Sequence, residues 1–485
     1  MTDASTLRSG PKAPPANLGW EHAPYAVCGL AALLVRLPAL DRWPLSPVEA
    51  ASAWATWGLA EGRASGIPLL DPPPASAALF GLQAALFWLV GAGDQVARLA
   101  PALAGAAVVA VAWLLRRSLG RTTSISLAVL LAGDPLSVGY SRLGDGAVFV
   151  STACWVVFAG LIVLADTPTP RARAALVDGM SLAAGFALAS GPLVWDLAPP
   201  LVVAMLVLRP QLPTPLARRP AVLAGATALM VATSGLTQWE GPPLVSASVG
   251  AWLHQWTTPG GIPPGELWVS LLRYEMLPLT LGIGGLLVAR LRRWSPVLAG
   301  WLAWGCLLTL RPGRTPAAWL VIAPPLMLSA ASAVSWLATT IRMPASRLAA
   351  TPPYVAAAAA VVLFAQFVHG AFDISGGRFA SGFRPYAVST ASGVRLLADD
   401  VALIQQRALT ATRLPLDVVA PAGVDPVLAW YLRGEPTMRW VAAPSPPSPD
   451  APRLVVEPAD DGPDPRHGGY GLRRVGAVLE RVRLR

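Results

Sequence analysis

Apolar runs of about 16–23 residues follow one another through most of this chain, and no single soluble core can bury them all. One crossing of the hydrocarbon layer takes ~20 mostly apolar residues, with ~17 sufficient. Such runs lie near 23–40, 98–115, 122–139, 147–165, 177–191, 194–208, 221–238, 274–290, 296–310, 316–338 and 353–370, about eleven in all. Apolar residues make up 54% of the 485 and charged ones only 13%, which places the chain among polytopic membrane proteins. The 49 prolines and 44 glycines suit loops and interrupted helices. Residues 1–22 are polar and proline-rich, and no small-residue cleavage site follows the first run. The first span is therefore expected to stay in the protein.

Arginine orients the spans. A further short run, Ala75–Gly91, follows the break Pro72-Pro73-Pro74. Counted as a span, it scatters the basic loops over both faces. Laid along the outer surface as an interfacial helix, it leaves Arg116/Arg117/Arg121, Arg171/Arg173, Arg209/Arg218/Arg219, Arg290/Arg292/Arg293 and Arg342/Arg347 in inner loops, as the positive-inside rule asks. The net charge of +10 is explained by these loops and gives no reason to invoke nucleic acid. The expected organisation is a cytoplasmic tail (1–22), a membrane domain (23–370) and a small extracytoplasmic α/β domain (371–485). In the last, 391–410 and 425–432 read as helices and 416–420, 438–442 and 454–456 as strands, around a Pro/Ser-rich loop at 443–452. The outer face also receives 41–97, 140–146, 239–273 and 311–315.

Carboxylates are scarce, and a carboxylate at a membrane surface is costly unless something uses or pairs it. Glu49 and Asp145 each follow an apolar run, and the topology puts both outside. Glu49 is also the kind of acid a helix N-terminus favours, after Ser46 as cap, and Asp145 lies in a turn between Gly144 and Gly146. Asp196 falls at an outer turn between two short spans. Arg311 and Arg314 form the one basic loop on the outer face, against the charge rule. Arg98 opens a span, and Arg142 precedes Asp145 by three residues. His254 and Glu266 share the long outer loop with Trp252, Trp256 and Trp268, where tryptophan anchors the interface or stacks on a sugar. Cys28, Cys154 and Cys306 lie inside apolar runs and read as packing. No catalytic triad, P-loop or zinc spacing is present.

The order of these elements resembles the GT-C superfamily of membrane glycosyltransferases, which includes protein O-mannosyltransferases, oligosaccharyltransferase catalytic subunits and aminoarabinose transferases. Arg36-Leu37-Pro38 with Leu45-Ser46-Pro47-Val48-Glu49-Ala50 is similar to its first-loop Asp-Glu motif, and Asp71-Pro72-Pro73-Pro74 to the His-Pro-Pro stretch before the interfacial helix. Ala97-Arg98-Leu99-Ala100-Pro101 is similar to its Arg-Leu-Pro-Ser opening of the second span, and Tyr140-Ser141-Arg142 with Asp145 to its second-loop acidic motif. Arg273-Tyr274-Glu275-Met276-Leu277-Pro278 and Trp430-Tyr431-Leu432-Arg433 resemble a branch associated with flippase activity. Two positions depart: Val48 stands where the family usually has Asp, and Pro72 or Pro73 where it has His.

The resemblance implies an all-α polytopic fold with interfacial helices in the first outer loop. It implies transfer of a hexosyl or mannosyl-type sugar from a polyprenyl-phosphate donor to an acceptor hydroxyl outside the plasma (inner) membrane. The partners are then membrane lipid, the lipid-linked donor, and an acceptor that is protein, glycan or lipid. Glu49 and Asp145 become the expected base, or ligands of a divalent metal. Arg98, Arg142, Arg311 and Arg314 become carrier-phosphate contacts, and Asp196 a lining residue of the same cavity. The alternative, favoured by Val48, is a non-catalytic protein with the same shell that binds a lipid carrier or assists lipid-linked sugar handling. A transporter is a third option, against which stands the lack of an inverted repeat.

Overall fold

The structure, a computed structural model, describes residues 20–62, 76–167, 169–208, 218–237, 241–260, 263–287, 294–341, 352–376, 393–407, 414–420, 424–442, 453–458 and 470–475. Asp71-Pro72-Pro73-Pro74 and the Pro/Ser-rich stretch 443–452 lie outside these residues.

The first span is α1 (Ala23–Arg36). The first outer loop then forms two helices, α2 (Pro47–Ala60) and α3 (Ala77–Val90). Next, α4 (Asp94–Ala107) and α5 (Val109–Leu119) join through Val108, itself in helical conformation, as one apolar stretch of 26 residues. The return span is broken: α6 (Arg121–Gly133) meets α7 (Pro135–Ser141) at a bend of 54°. Pro135 has no N–H to continue the ladder, and Asp134 caps α7 by accepting from the Ser137 N–H. The following helices are α8 (Ala147–Asp166), α9 (Pro170–Leu188), α10 (Leu193–Leu208), α11 (Arg218–Ala232), α12 (Gly241–Thr257) and α13 (Pro264–Tyr274). After them come α14 (Met276–Leu286), α15 (Ser295–Leu308), α16 (Ala318–Ile341) and α17 (Pro352–Ser375).

Each expected span contains a helix. Among the described residues four helices are long and apolar enough to cross a membrane, and α6 with α7 makes a fifth as one broken span. Others are shorter than expected: α14 has 11 residues and α15 has 14. Ala75–Gly91, expected as an interfacial helix, forms α3.

The packing sorts the helices by depth in the bundle. The apolar windows of α8 and α16 are 72% and 83% buried, so these two form its middle, whereas α17, at 22%, presents most of its surface outward. An aromatic cluster marks the centre, with Phe158 edge-on to Trp301 at 4.8 Å between ring centroids. Lipid gives no hydrophobic drive between helices, so close approach of small residues carries the association. Gly282 and Gly285 of α14 are such residues. A Cβ on Gly285 would overlap the Ser329 carbonyl of α16.

The tail folds as α18 (Gly393–Arg407), β1 (Leu416–Val419), α19 (Pro426–Tyr431), β2 (Met438–Val441), β3 (Arg453–Pro458) and β4 (Tyr470–Val475). The sheet order is β2-β1-β3-β4. Central β1 runs parallel to both neighbours, with Leu416 opposite Met438 and Leu454, and β4 closes the sheet antiparallel to β3. Sequence periodicity missed β4, whose Arg473 and Arg474 interrupt its alternation. The domain does not close its core alone. Val394, Leu397, Val401, Leu416 and Trp430 form one buried cluster with Leu45, Ala50, Ala53, Trp54, Phe87 and Ala97 of the first outer loop and α4.

Gly285→Val is expected to force α14 from α16 and to destabilise the bundle by about 1–3 kcal/mol, as overpacking does. A lower melting temperature of the purified protein in detergent, relative to Gly284→Val, where a Cβ meets nothing within 4 Å, would check this.

Candidate functional site

The site grows from the start of α2. Ser46 has extended backbone (φ −64°, ψ 162°), Pro47 begins the helix, and Glu49 falls three residues after the cap. This spacing makes a capping box: the Ser46 hydroxyl accepts from the Glu49 N–H at 3.4 Å, and Glu49 Oε2 accepts from the Ser46 N–H at 2.8 Å. Arg98, one turn into α4, comes to the same carboxylate. Its Nε donates to Oε1 at 2.7 Å and its Nη2 to Oε2 at 2.8 Å. The Gly144 N–H also donates to Oε1, at 2.6 Å. Each carboxylate oxygen thus accepts two hydrogen bonds.

Arg98 is equally committed. Its remaining N–H groups donate to the carbonyls of Leu40, Trp43 and Pro44 at 2.8–3.1 Å. All five donors of the guanidinium are used, and both side chains are about 95% buried. Burial pushes the Glu49 carboxyl up, but the charge and hydrogen bonds of Arg98, with the Gly144 and Ser46 N–H groups, outweigh it and hold the group below its ordinary value. In this arrangement all four lone-pair positions of Glu49 and all five donors of Arg98 are taken, so neither side chain offers a free position for the proton, metal or phosphate contacts expected of it. Among the described residues no three His, Cys, Asp or Glu side chains gather to hold a metal ion.

Asp145 is brought beside this pair by the Gly144 bond, so the two expected acids do share one place. Its environment is opposite. Its carboxylate accepts from the Ala147 N–H at 3.2 Å, at the start of α8, and no arginine among the described residues is ion-paired with it. Burial pushes its carboxyl above the ordinary aspartate value, the Glu49 charge pushes the same way, and the Ala147 and Gly146 amides oppose. The loop is tightly seated: a Cβ on Gly146 would overlap the Ser190 carbonyl and the Ser76 hydroxyl.

Arg142 does not pair with Asp145. Its guanidinium donates to the carbonyls of Arg36 (2.9 Å), Ala39 (3.0 Å) and Val35 (3.4 Å), satisfying the C-terminal end of α1. Asp196 and Arg311 do not line the Asp145 site as contacts for a carrier phosphate. They pair with each other, Arg311 Nη1 lying 2.8 and 2.9 Å from the two carboxylate oxygens, with both side chains buried. The Trp252 indole donates to the same carboxylate and the Trp304 indole to the Asp196 carbonyl. Arg314 donates to the Arg311 carbonyl at 3.0 Å. His254 contacts Thr258, just past the end of its helix.

Sequence reasoning missed the residues that support the site. Glu275, fully buried, accepts from the Leu136 N–H at 2.8 Å and so ties the broken span to the start of α14. Arg36, also fully buried, donates to the Ala132 and Leu131 carbonyls at the end of α6. Both stand in motifs noted above, but for other reasons. Asp94, one turn before Arg98, receives three donors from the tail: Trp430 Nε1 and the Tyr431 hydroxyl, each at 2.7 Å, and Arg395.

Removing one partner of a buried ion pair leaves an uncompensated charge, at a cost of about 3–5 kcal/mol. Arg98→Met is expected to cost that much, and Arg98→Met with Glu49→Met distinctly less than the two single changes summed. Because the folded Glu49 value lies below the unfolded one, the contribution of the pair is complete above the usual glutamate range and is lost as pH falls through the folded value. Melting temperature against pH, compared between wild type and the double variant, reads both effects.

Residues 71–239 match the family model described as dolichyl-phosphate-mannose-protein mannosyltransferase. Curated protein sequences give no match. Among solved structures, the chain is similar to ArnT from Cupriavidus metallidurans bound to undecaprenyl phosphate, at 18% identity and a TM-score of 0.59 over 91% of this chain and 94% of that one. It is similar to the apo state of the same protein at 19% identity and 0.55, over 90% and 94%. It is also similar to the Archaeoglobus fulgidus oligosaccharyltransferase AglB in complex with an inhibitory peptide and a dolichol-phosphate, at 11% identity and 0.53, over 90% of this chain and 69% of that one. None of these matches singles out the flippase-associated branch. The helical bundle with its small α/β domain shares the fold of these GT-C membrane glycosyltransferases.

Proposed function

We propose that this protein is an integral membrane glycosyltransferase that moves a sugar from a polyprenyl-phosphate donor to an acceptor hydroxyl on the extracytoplasmic face, with Asp145 as the general base. The single observation that carries this is the contrast between the two acids: Glu49 is locked by Arg98, while Asp145, held next to it by the Gly144 bond, keeps a carboxylate that no arginine among the described residues neutralises. A carboxyl raised above its ordinary value is also a stronger base. The similar proteins supply the donor class. ArnT is bound to undecaprenyl phosphate, AglB to a dolichol-phosphate, and the matching family model is that of a dolichyl-phosphate-mannose transferase.

In the proposed step the acceptor hydroxyl oxygen attacks the anomeric carbon. Its proton passes to the Asp145 carboxylate, and the bond from the anomeric carbon to the phosphate oxygen breaks with its electron pair on the polyprenyl phosphate. The phosphate leaves readily without a proton, so the protein's main contribution is at the acceptor. Positioned general-base help is worth about 10²–10⁴-fold. We place the site outside the inner membrane, on the inner-loop arginine pattern, and take the sugar to be of hexosyl, mannosyl type.

One observation favours a second reading, that of a carrier-binding protein without transfer. Arg98 has spent its five donors on Glu49 and on backbone carbonyls, so it offers none to the charge that would develop on a leaving phosphate during transfer. Asp145→Asn separates the two readings. As an enzyme, the protein is expected to lose about 10²-fold or more of its sugar release from a polyprenyl-phosphate donor, with melting temperature and undecaprenyl-phosphate binding retained. The base must be deprotonated, so the wild-type rate is expected to fall as pH drops through a value above the usual ~4 of aspartate. Carrier binding with no turnover in wild type would decide for the second reading.

A further inference from the structure

The tail domain is joined to the membrane domain through one acid. Asp94 stands in the first turn of α4, and its side chain is 12% exposed. One oxygen accepts from the Trp430 indole at 2.7 Å, and the other from the Tyr431 hydroxyl at 2.7 Å and from Arg395. Around this centre, Phe87 stacks on Trp430 at 5.7 Å, and the Arg433 guanidinium covers the same indole at 3.8 Å while donating to the Ala92 carbonyl. The Tyr431 oxygen has a second role: it accepts from the Leu45 N–H at 2.8 Å while its proton goes to Asp94.

The stretch 40–45 is thereby gripped from two sides. From within, Arg98 holds the carbonyls of Leu40, Trp43 and Pro44. From the tail, Tyr431 holds the Leu45 N–H and Arg395 donates to the Trp43 carbonyl at 2.9 Å. Asp94 and Arg98 are four residues apart and so share one face of α4. The tail thus fixes the start of α4 and the stretch before α2 together. Those two pieces bring Arg98 to Glu49, and Glu49 in turn holds the Gly144 N–H next to Asp145.

We infer that Tyr431 and Asp94 are positioning residues: the docked tail domain sets the place of the Asp145 loop through Arg98 and Glu49, without a hydrogen bond from the described tail residues to 143–146. The proposal rests on the glycosyltransferase reading for its effect on rate, but its structural content is independent of it. The tail domain is then part of the machinery that orders the base.

The experiment uses the full-length protein in lipid nanodiscs. Tyr431→Phe removes the hydroxyl that joins Leu45 to Asp94 and keeps the ring. Trp430→Phe removes the indole N–H and keeps the stack on Phe87. Amide hydrogen exchange is followed in the peptide spanning 143–146, far from both substitutions in sequence, with that of α8 as an internal standard. Loss of one hydrogen bond at the far end of the relay is expected to speed exchange in 143–146 about three- to tenfold, with α8 unchanged. In the glycosyl-transfer assay kcat is expected to fall by a similar factor while KM for the donor holds. Adding Glu49→Gln to Tyr431→Phe is expected to give no further rise in exchange beyond Glu49→Gln alone, because the relay is already cut. A rise confined to 40–46 and 426–433, with 143–146 at its wild-type rate, would overturn the inference and leave the contacts as domain glue. A wild type that never releases sugar defeats the functional reading, and the exchange result still decides this one.

Discussion

The Arg98 guanidinium is the constraint on which the packing around the first loop depends. A charge taken out of water must find its partners within the protein, and leaving even one donor unmet is costly. Arg98 meets that demand by drawing carbonyls from the stretch 40–44 and a carboxylate from α2 onto one side chain of α4. The carboxylate then has lone pairs to fill, and it does so with the Ser46 and Gly144 amides. Four separate pieces of chain are located by the valence of one ion pair.

The same device recurs elsewhere in the bundle. Arg311 and Asp196, with the Trp252 and Trp304 indoles, join α10, α12 and α15 to the loop that follows it. The expected topology puts Arg311 on the outer face, against the charge rule, and an anionic headgroup is the explanation the sequence suggests. The structure gives it an internal partner. A counter-ion 115 residues away neutralises it, so the arginine does not act as a topological charge. Where a rule about charge and sidedness fails, a buried partner is the first thing to look for.

What the sequence made legible was whatever depends on periodicity and composition. The apolar runs located the helices of the bundle, the short run at 75–91 located α3, and the tail strands β1, β2 and β3 fell near their expected places. Ser46 and Glu49 were visible as a cap because the capping box is local. The site was legible only as a list of rare charges. Sequence spacing does not report valence: nothing in the string says that Arg98 faces Glu49 rather than solvent, or that Arg142 turns back to the end of α1 instead of forward to Asp145. Asp94 was invisible because its partners lie more than 300 residues away. One signal did exist. Trp430, Tyr431 and Arg433 stood out together in a polar tail, and a cluster of large hydrogen-bonding side chains in a small domain marks a surface that is covered.

Val48 gains a physical meaning from this arrangement. Successive residues of a helix point about 100° apart, and here the difference is complete: Glu49 is 3% exposed and Val48 is 58% exposed. An acid at position 48 would stand in the open, free of Arg98, whereas the acid at 49 is held by four hydrogen bonds. The two positions are therefore not interchangeable, and Glu49 cannot take over the work of a missing neighbour without dismantling the pair that locates it. On the proposed reading the base comes from the second loop instead. The locked carboxylate of Glu49 keeps a negative charge beside Asp145 and holds the Gly144 N–H, so the acid bound in the ion pair shapes the surroundings of the other.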